Sequence, residues 1–280
     1  MSPPRLAAPL ASEFFKMTAG GNDFILFDDR NGSLRAAGLP SRVPALCARG
    51  LSVGADGVIL LERSSGADVR ASFYNPDGRP TFCGNGARCA ARLAYLQGIA
   101  PPRLRLETDV MVHHAEIQGR RVSLEMRDPR GTEEIEVACE GQVIRGTFVD
   151  TGVPHFVVFR EFAATQAIDL LGRALRQHPR FAPAGVNVNF VHPLLQGGLA
   201  IRTFERGVEG ETLACGTGCV AAAIAAGAAG RGAQPMRLRT RSGEWIEVRY
   251  EGEARRATGV RLEGDARLVY VGHLTDEILP

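Results

Sequence analysis

The chain has 280 residues, of which 45% are hydrophobic, and its 33 basic and 31 acidic side chains leave a formal net charge of +2. This length suits one large domain or two of modest size with a packed core. The balanced charge gives no reason to expect a nucleic-acid or membrane-surface partner. No run of 18 apolar residues is present, so no membrane span is predicted and the cytoplasm is the expected location.

Residues 1–11 contain early prolines and no continuous apolar stretch, so they are predicted to be a frayed tail rather than a signal peptide. Short apolar or alternating runs bounded by Gly, Pro or Asp then predict many strands. Four segments have helical patterns instead: SRVPALCARG, ARCAARLAYLQG, DLLGRALRQHP and GCVAAAIAAGAAG. The strands are too closely spaced for βαβ units. We therefore predict an α+β fold, with a mainly antiparallel curled sheet or barrel around a central helix.

Four sequence blocks recur in the same order at a nearly constant spacing, which indicates an internal duplication. The paired blocks lie 130–132 residues apart and begin at Gly21 and Gly152, Gly54 and Gly185, Phe73 and Thr203, and Cys83 and Cys215. The alternative to a duplication is that a strand-rich chain repeats the pattern of a glycine followed by a strand by chance. The duplication predicts two pseudo-symmetric lobes. The N-terminal lobe is predicted at 12–127, completed by a returning strand within 265–280, and the C-terminal lobe at 128–264.

Each lobe contains a cysteine directly before Gly-x-Gly at the start of a predicted helix, namely Cys83 and Cys215. A helix N-terminus presents unpaired N–H groups and a partial positive charge, which suit a carboxylate or phosphate. The glycines allow a ligand to approach the backbone closely. The same position favours a thiolate, so a lowered pKa is expected for both cysteines.

The remaining four cysteines are predicted to be buried, inert thiols: Cys47, Cys89, Cys139 and Cys219. Neither their spacing nor the scattered histidines match a zinc site, so no metal is predicted. The chain has a single lysine, Lys16, which argues against a pyridoxal phosphate Schiff base.

Two activated thiols from related lobes suit the inversion of a carbon centre. One thiolate removes a proton from one face, and the other thiol returns a proton to the opposite face. The helix N-termini would hold a carboxylate next to the reacting carbon and stabilise developing charge. The sequence therefore favours a racemase or epimerase. The alternative from another class is a redox protein that switches by a disulfide between Cys83 and Cys215.

Eight motifs occur in family order between about Phe15 and Gly272: GNDF, GADG, NPDG, CGNGARC, GVPH, GVNVNF, ERG and ETLACGTG. Together they resemble the diaminopimelate epimerase family. The resemblance implies conversion of LL-diaminopimelate to meso-diaminopimelate for lysine and peptidoglycan synthesis, without metal or other cofactor. It also implies a small amino-acid substrate and a homodimer.

The resemblance further implies that Cys83 and Cys215 are the acid–base pair and that His155 and Glu205 help to set their protonation. The substrate-binding residues that it implies are Asn22, Asn75, Gly84, Asn85, Asn187, Glu205, Arg206, Gly216 and Thr217. Without the family, Asn22 is equally well explained as a turn residue, and for Asn75 a structural role in a turn is favoured. Glu205 and Arg206 are equally well explained as an exposed charged pair that contributes little to stability.

Two departures from the family pattern concern the substrate. Val153 stands at a position that is often asparagine, and the segment from Glu205 to Cys215 is one residue longer than in some members. Neither change involves the two thiols. They leave open a second hypothesis, a cofactor-independent racemase of another amino acid.

Overall fold

The computed structural model describes residues 13–163 and 165–275. Within them the chain divides into two compact units. The first unit runs to Leu124 and resumes at Asp265, and the second spans Glu125–Gly264. The tail predicted at 1–11 lies outside the described residues, as do residues 276–280. No helix in the described part of the chain has the length and apolar character to cross a bilayer.

The elements of the first half of the chain begin with strands and end with a hairpin. They are β1 (Glu13–Ala19), β2 (Asn22–Asp28), α1 (Ser33–Ala36), α2 (Leu39–Cys47), β3 (Gly57–Glu62), β4 (Val69–Tyr74), β5 (Pro80–Thr81), α3 (Gly84–Leu96), β6 (Arg103–Glu107), β7 (Val112–Gln118) and β8 (Arg121–Glu125).

The elements of the second half follow a similar succession. They are β9 (Arg130–Cys139), β10 (Gln142–Asp150), β11 (Pro154–Phe159), α4 (Asp169–Arg176), β12 (Asn187–Pro193), β13 (Leu199–Glu205), β14 (Gly210–Thr212), α5 (Gly216–Ala228), β15 (Met236–Arg239), β16 (Trp245–Glu251), β17 (Thr258–Asp265) and β18 (Arg267–His273).

The sheet of the first unit has the strand order β18-β1-β2-β3-β4-β6-β7-β8, with the short β5 beside one end of β4. Two neighbouring pairs are parallel, β2 with β3 and β4 with β6, and the others are antiparallel. The last strand of the chain therefore lies at an edge beside the first. Gly20 and Gly21 both have positive φ in the tight turn between β1 and β2, a conformation that costs glycine little.

The sheet of the second unit repeats this order as β9-β10-β11-β12-β13-β15-β16-β17, with β14 beside one end of β13. Its parallel pairs, β11 with β12 and β13 with β15, occupy the equivalent places. The predicted α+β fold with two similar lobes is confirmed. The described pairings leave each sheet open, so of the two predicted forms the closed barrel is wrong.

One long helix contacts many strands of its own sheet in each unit. In the first unit α3 packs on β1, β2, β3, β4, β6 and β7, and in the second α5 packs on β10 to β13, β15 and β16. The alanine-rich α5 is buried on all sides over most of its length, as its composition predicts. These central helices begin at the two Cys-Gly-x-Gly motifs, and their burial fixes where the motifs lie.

A second helix packs beside further core residues in each unit. Leu39, Val43 and Leu46 of α2 join one buried cluster with Phe27 of β2. In the second unit α4 contributes Leu175 to a cluster of phenylalanines from β11, β12 and β13. The prediction ended the α2 pattern at Gly50, but the helix stops at Cys47 because Ala48 is already extended. Both faces of each sheet are thus used for packing.

Candidate active site

Cys83 and Cys215 occupy the same local position, the N-cap of the central helix. Their backbone angles are nearly identical, with φ −139° and ψ 120° at Cys83 and φ −128° and ψ 112° at Cys215. The carbonyl of each accepts the first helical hydrogen bond, from Ala87 at 2.8 Å and from Cys219 at 2.9 Å. Each sulfur therefore adjoins the first helical turn, where the backbone N–H groups lack helical partners.

The second glycine of each motif packs where there is little room for a side chain. A Cβ on Gly86 would lie 3.1 Å from Ile59 and Phe73, and one on Gly218 would lie 2.5 Å from Oδ1 of Asn189. From the sequence, these glycines were predicted to let a ligand approach the backbone closely. At Gly86 and Gly218 the structure shows instead that the helix must pack closely on its own sheet.

The predicted low pKa is wrong for Cys215. This side chain is only 7% exposed, and burial raises the pKa of its thiol well above the ordinary value. The nearby Glu205 raises it further, while hydrogen bonds from Thr217 and the Gly218 N–H act in the opposite direction. The Oγ1 of Thr217 lies 3.4 Å from the sulfur. Desolvation thus outweighs the helix N-terminus, and Cys215 is a thiol at neutral pH. Cys83 is less deeply buried.

Glu205 lies at the end of β13, close enough to Cys215 to affect its ionisation. Burial also raises the pKa of the Glu205 carboxyl. The carboxyl and the thiol thus share a poorly solvated region, and burial favours the uncharged form of each. Next to it, the Arg206 N–H donates to Oδ1 of Asn187 at 2.8 Å. Because Glu205 is largely buried, it is not part of an exposed, solvated ion pair with Arg206.

His155 begins a chain of three polar side chains across β11, β12 and β13. Nδ2 of Asn189 lies 3.0 Å from Nδ1 of His155, and the Thr203 hydroxyl donates to Oδ1 of Asn189 at 3.0 Å. The imidazole is completely buried, and burial, with the nearby Arg206 charge, lowers its pKa to about 3. It is therefore neutral near pH 7. With the Asn189 amide NH₂ facing Nδ1, the matching tautomer of His155 carries its proton on Nε2.

Sequence reasoning selected Asn187 and passed over Asn189 and Thr203. The signal was present, since Asn189 is the second polar residue of an apolar strand and must find a partner when buried. Its partners are His155, 34 residues before it, and Thr203.

In the first unit, two predicted residues, Asn22 and Asn85, bond directly to each other. Nδ2 of Asn85 donates to Oδ1 of Asn22 at 2.8 Å. Asn75 starts a tight turn in which the Gly78 N–H donates to its carbonyl at 2.8 Å, and its side chain is exposed. The turn role foreseen for Asn75 is therefore real.

The structure assigns the predicted residues to both units. The first holds Asn22, Asn75, Cys83, Gly84 and Asn85, and the second holds His155, Asn187, Glu205, Arg206, Cys215, Gly216 and Thr217. The described contacts join Asn22 to Asn85 in the first unit and bring Glu205 and Thr217 to Cys215 in the second, whereas Asn75 contacts only its own turn in the bonds described.

Solved structures of low sequence identity share this architecture. A probable proline racemase from Agrobacterium radiobacter K84 has a TM-score of 0.70 at 18% identity, covering 95% of this chain and 93% of the other. A hydroxyproline epimerase from Agrobacterium vitis has a TM-score of 0.69 at 18% identity, covering 96% and 94%. The chain thus shares the two-lobed fold of these two proteins.

Sequence comparison is more specific. The family model described as diaminopimelate epimerase matches residues 14–132 and 147–269. A relative of that name from Aquifex aeolicus (strain VF5) is 40% identical over 279 residues, covering 95% of this chain and 99% of its own length. Another, from Hydrogenobaculum sp. (strain Y04AAS1), is 41% identical, covering 94% and 98%. The chain belongs to the diaminopimelate epimerase family, an isomerase family, and the resemblance seen in its motifs is confirmed.

Proposed function

We propose that the protein interconverts LL- and meso-diaminopimelate by moving a proton at Cα between two cysteine side chains. Family membership supports the substrate and the class of reaction. The observation that carries the mechanism is the repeated geometry of Cys83 and Cys215 at equivalent helix N-caps. A reaction that removes a proton from one face of a carbon and adds a different proton to the opposite face suits two acid–base groups in equivalent positions.

The proton balance of the reaction is simple. One cysteine enters as thiolate and removes the Cα proton, and the electron pair left on carbon delocalises into the adjacent carboxylate. The other enters as thiol and gives its proton to the opposite face of the carbon. At the end the two sulfur atoms have exchanged protonation states. Reversal or proton exchange with solvent restores the starting form.

The environment of Cys215 indicates which of the two cysteines donates a proton to Cα in the favoured form of the enzyme. Because burial and Glu205 hold its thiol protonated, Cys215 is the donor in the favoured enzyme form and Cys83 is the base. In the opposite direction Cys215 must act as thiolate. The carboxyl of Glu205 is then the partner that can accept or return its proton.

The carboxylate next to the reacting carbon suits the helix N-termini. Unpaired N–H groups of the first helical turn, at Gly84 and Asn85 in α3 and at Gly216 and Thr217 in α5, are donors aimed at an anion. They also stabilise the charge that develops as the proton leaves. The other residues that we propose to line the substrate site are Asn22, Asn75, Asn187, Glu205 and Arg206.

The scheme uses neither metal nor pyridoxal phosphate. The chain's only lysine, Lys16, is 7% exposed, pairs with Asp23 at 2.7 Å and donates to the Gly54 carbonyl. A lysine held in this way is engaged in structure and is a poor candidate for a Schiff base. The product of the reaction would serve lysine and peptidoglycan synthesis in the cytoplasm.

Incubation with LL-diaminopimelate in heavy water tests the proposal. We expect meso-diaminopimelate with deuterium at the inverted carbon, while substrate recovered early retains its hydrogen, since different groups remove and return the proton. Mass spectrometry and NMR measure both. Retention of the original hydrogen in the product would contradict a two-base mechanism. Deuterium uptake into proline, histidine or glutamate, but not diaminopimelate, would identify another racemase, and no uptake into any of them would favour the redox protein.

We also propose a homodimer that uses the edge strand β18. Four successive apolar side chains of this strand are at least 37% exposed: Leu268, Val269, Tyr270 and Val271. The strand has β1 on one side, and a run of exposed apolar residues on an edge strand is suited to covering by another chain.

The change Val269→Lys is expected to convert a dimer into a monomer, because it places a charge in an apolar interface. Sedimentation velocity measures the mass. Val112→Lys is the matched control, since Val112 is an exposed valine of β7 in the same unit. A dimer that persists in Val269→Lys, or a wild-type monomer, would contradict the proposal.

A further inference from the structure

A continuous chain of side-chain hydrogen bonds in the first unit links a buried guanidinium to a carboxylate through two amides. Nη2 of Arg88 donates to Oδ1 of Asn85 at 3.0 Å. Nδ2 of Asn85 donates to Oδ1 of Asn22 at 2.8 Å, and Nδ2 of Asn22 donates to Oδ2 of Asp56 at 3.0 Å. The four residues belong to α3, to β2 and to the segment before β3.

The terminal donor, Arg88, and the terminal acceptor, Asp56, fix the direction of every hydrogen bond between them. A guanidinium can only donate and an ionised carboxylate can only accept, whereas an amide side chain can turn over and exchange its donor and acceptor. If Asn85 turned over, its NH₂ would face the Arg88 guanidinium. If Asn22 turned over, its carbonyl would face the Asp56 carboxylate. Both amides are therefore fixed in one orientation.

The two residues at the ends of this series of hydrogen bonds, Arg88 and Asp56, are themselves held in place. Arg88 is completely buried within α3. Asp56 accepts from Nη2 of Arg49 at 2.8 Å and from the Asp23 N–H at 3.2 Å. Arg49 also pairs with Asp23, which is bonded to Lys16. The carboxylate that orients Asn22 is thus anchored by further charged groups.

Close packing brings the two amides together. Gly20, with φ of +60°, lies in the turn before Asn22, and a Cβ there would be 2.9 Å from Nδ2 of Asn85. The turn can rest against Asn85 only because position 20 has no side chain. The contact between Asn22 and Asn85 is therefore part of how this unit packs.

We propose that Arg88 and Asp56 are positioning residues that fix the amide of Asn22, from one side directly and from the other through the buried Asn85, with an N–H of Asn22 available to the substrate. The Asn22 amide donates one N–H to Asp56 and has a second that can be donated to a carboxylate oxygen, whereas Asn85 is completely buried and transmits the orientation set by Arg88. A preset donor loses no orientational freedom when the substrate binds. This inference rests on the proposed function for its substrate, but the hydrogen-bond direction can be tested without it.

The kinetic test is a double-mutant cycle between Asp56 and Asn22. Asp56→Asn keeps the shape but removes the charge that sets the direction, so KM for diaminopimelate is expected to rise about tenfold with a smaller change in kcat. In the Asn22→Ala background the same change should alter KM less than about twofold, since its target is absent. Glu62→Gln is the control, because it removes a carboxylate paired with Arg35 at 2.7 Å in the same unit. A tenfold penalty that persists in the Asn22→Ala background would overturn the proposal.

A second measurement needs no turnover. In the wild-type protein, NMR is expected to show the side-chain amide protons of Asn22 and Asn85 exchanging with solvent at least about tenfold more slowly than those of the exposed Asn31. In Asp56→Asn, the exchange of Asn22 should accelerate. Equal exchange at Asn22 and Asn31 in the wild type would overturn the fixed orientation. Failure of the wild type to epimerise diaminopimelate would instead refute the proposed function and leave this test intact.

Discussion

Replacing either Cys83 or Cys215 with alanine is expected to abolish epimerisation, with a loss of at least about 10²–10⁴-fold in kcat. Each variant lacks one of the two groups that must act on opposite faces of Cα. The rate is measured as formation of meso-diaminopimelate from the LL form. Circular dichroism checks that the fold is kept, since alanine is a smaller side chain at both positions.

Two other cysteines provide matched controls for this experiment. Cys47 is buried at the end of α2, where burial raises its pKa to about 11, and Cys139 is buried at the end of β9. Cys47→Ala and Cys139→Ala are expected to retain nearly full activity after any loss of stability is allowed for. An active Cys83→Ala variant would end the two-thiol mechanism.

The buried His155 is expected to lower the free energy of unfolding in acid, and replacing this one residue should remove that effect. Its folded-state pKa is about 3, against an ordinary value of 6.5, so between these values the unfolded chain binds a proton that the folded protein does not. The free energy of unfolding therefore falls as the pH decreases from 6.5 towards 3, by up to roughly 5 kcal/mol. Denaturant unfolding at several pH values measures this slope.

The change His155→Gln is expected to flatten the slope in that window, because glutamine does not titrate. His114→Gln is the control, since His114 is exposed on β7. Carboxylates with lowered pKa, such as Asp28, also cost stability in acid, so the comparison is the difference between each variant and the wild type. Identical slopes for His155→Gln and wild type would show that the imidazole is not buried in the neutral form.

Local patterns were enough to predict much of this fold. Alternating strands, the glycine-bounded helices and the two Cys-Gly-x-Gly motifs depend on residues close in sequence, and the recurrence at about 130 residues pointed to two similar lobes. The parallel pairs β2–β3 and β11–β12 were not foreseen. Parallel pairing joins strands separated by a long connection, which sequence spacing alone does not specify.

The electrostatics of the site depended on burial and could not be read from motifs. The helix N-terminus at Cys215 predicted a lower pKa, but the depth at which α5 is packed reverses the sign. The partners of His155 and of Asn22 were also hidden, since Asn189 lies 34 residues from the first and Asp56 lies 34 residues from the second. Such pairs are set by which strands become neighbours.

The place of β18 has a consequence for how the protein is made. The second unit is one continuous stretch of chain, whereas the first takes its edge strand from the far end of the sequence. During synthesis from the N-terminus, the second unit has all its strands before the ribosome has released the segment that completes the first. The first unit therefore cannot complete its sheet before β18 has been made, and β1 remains an uncovered edge until then.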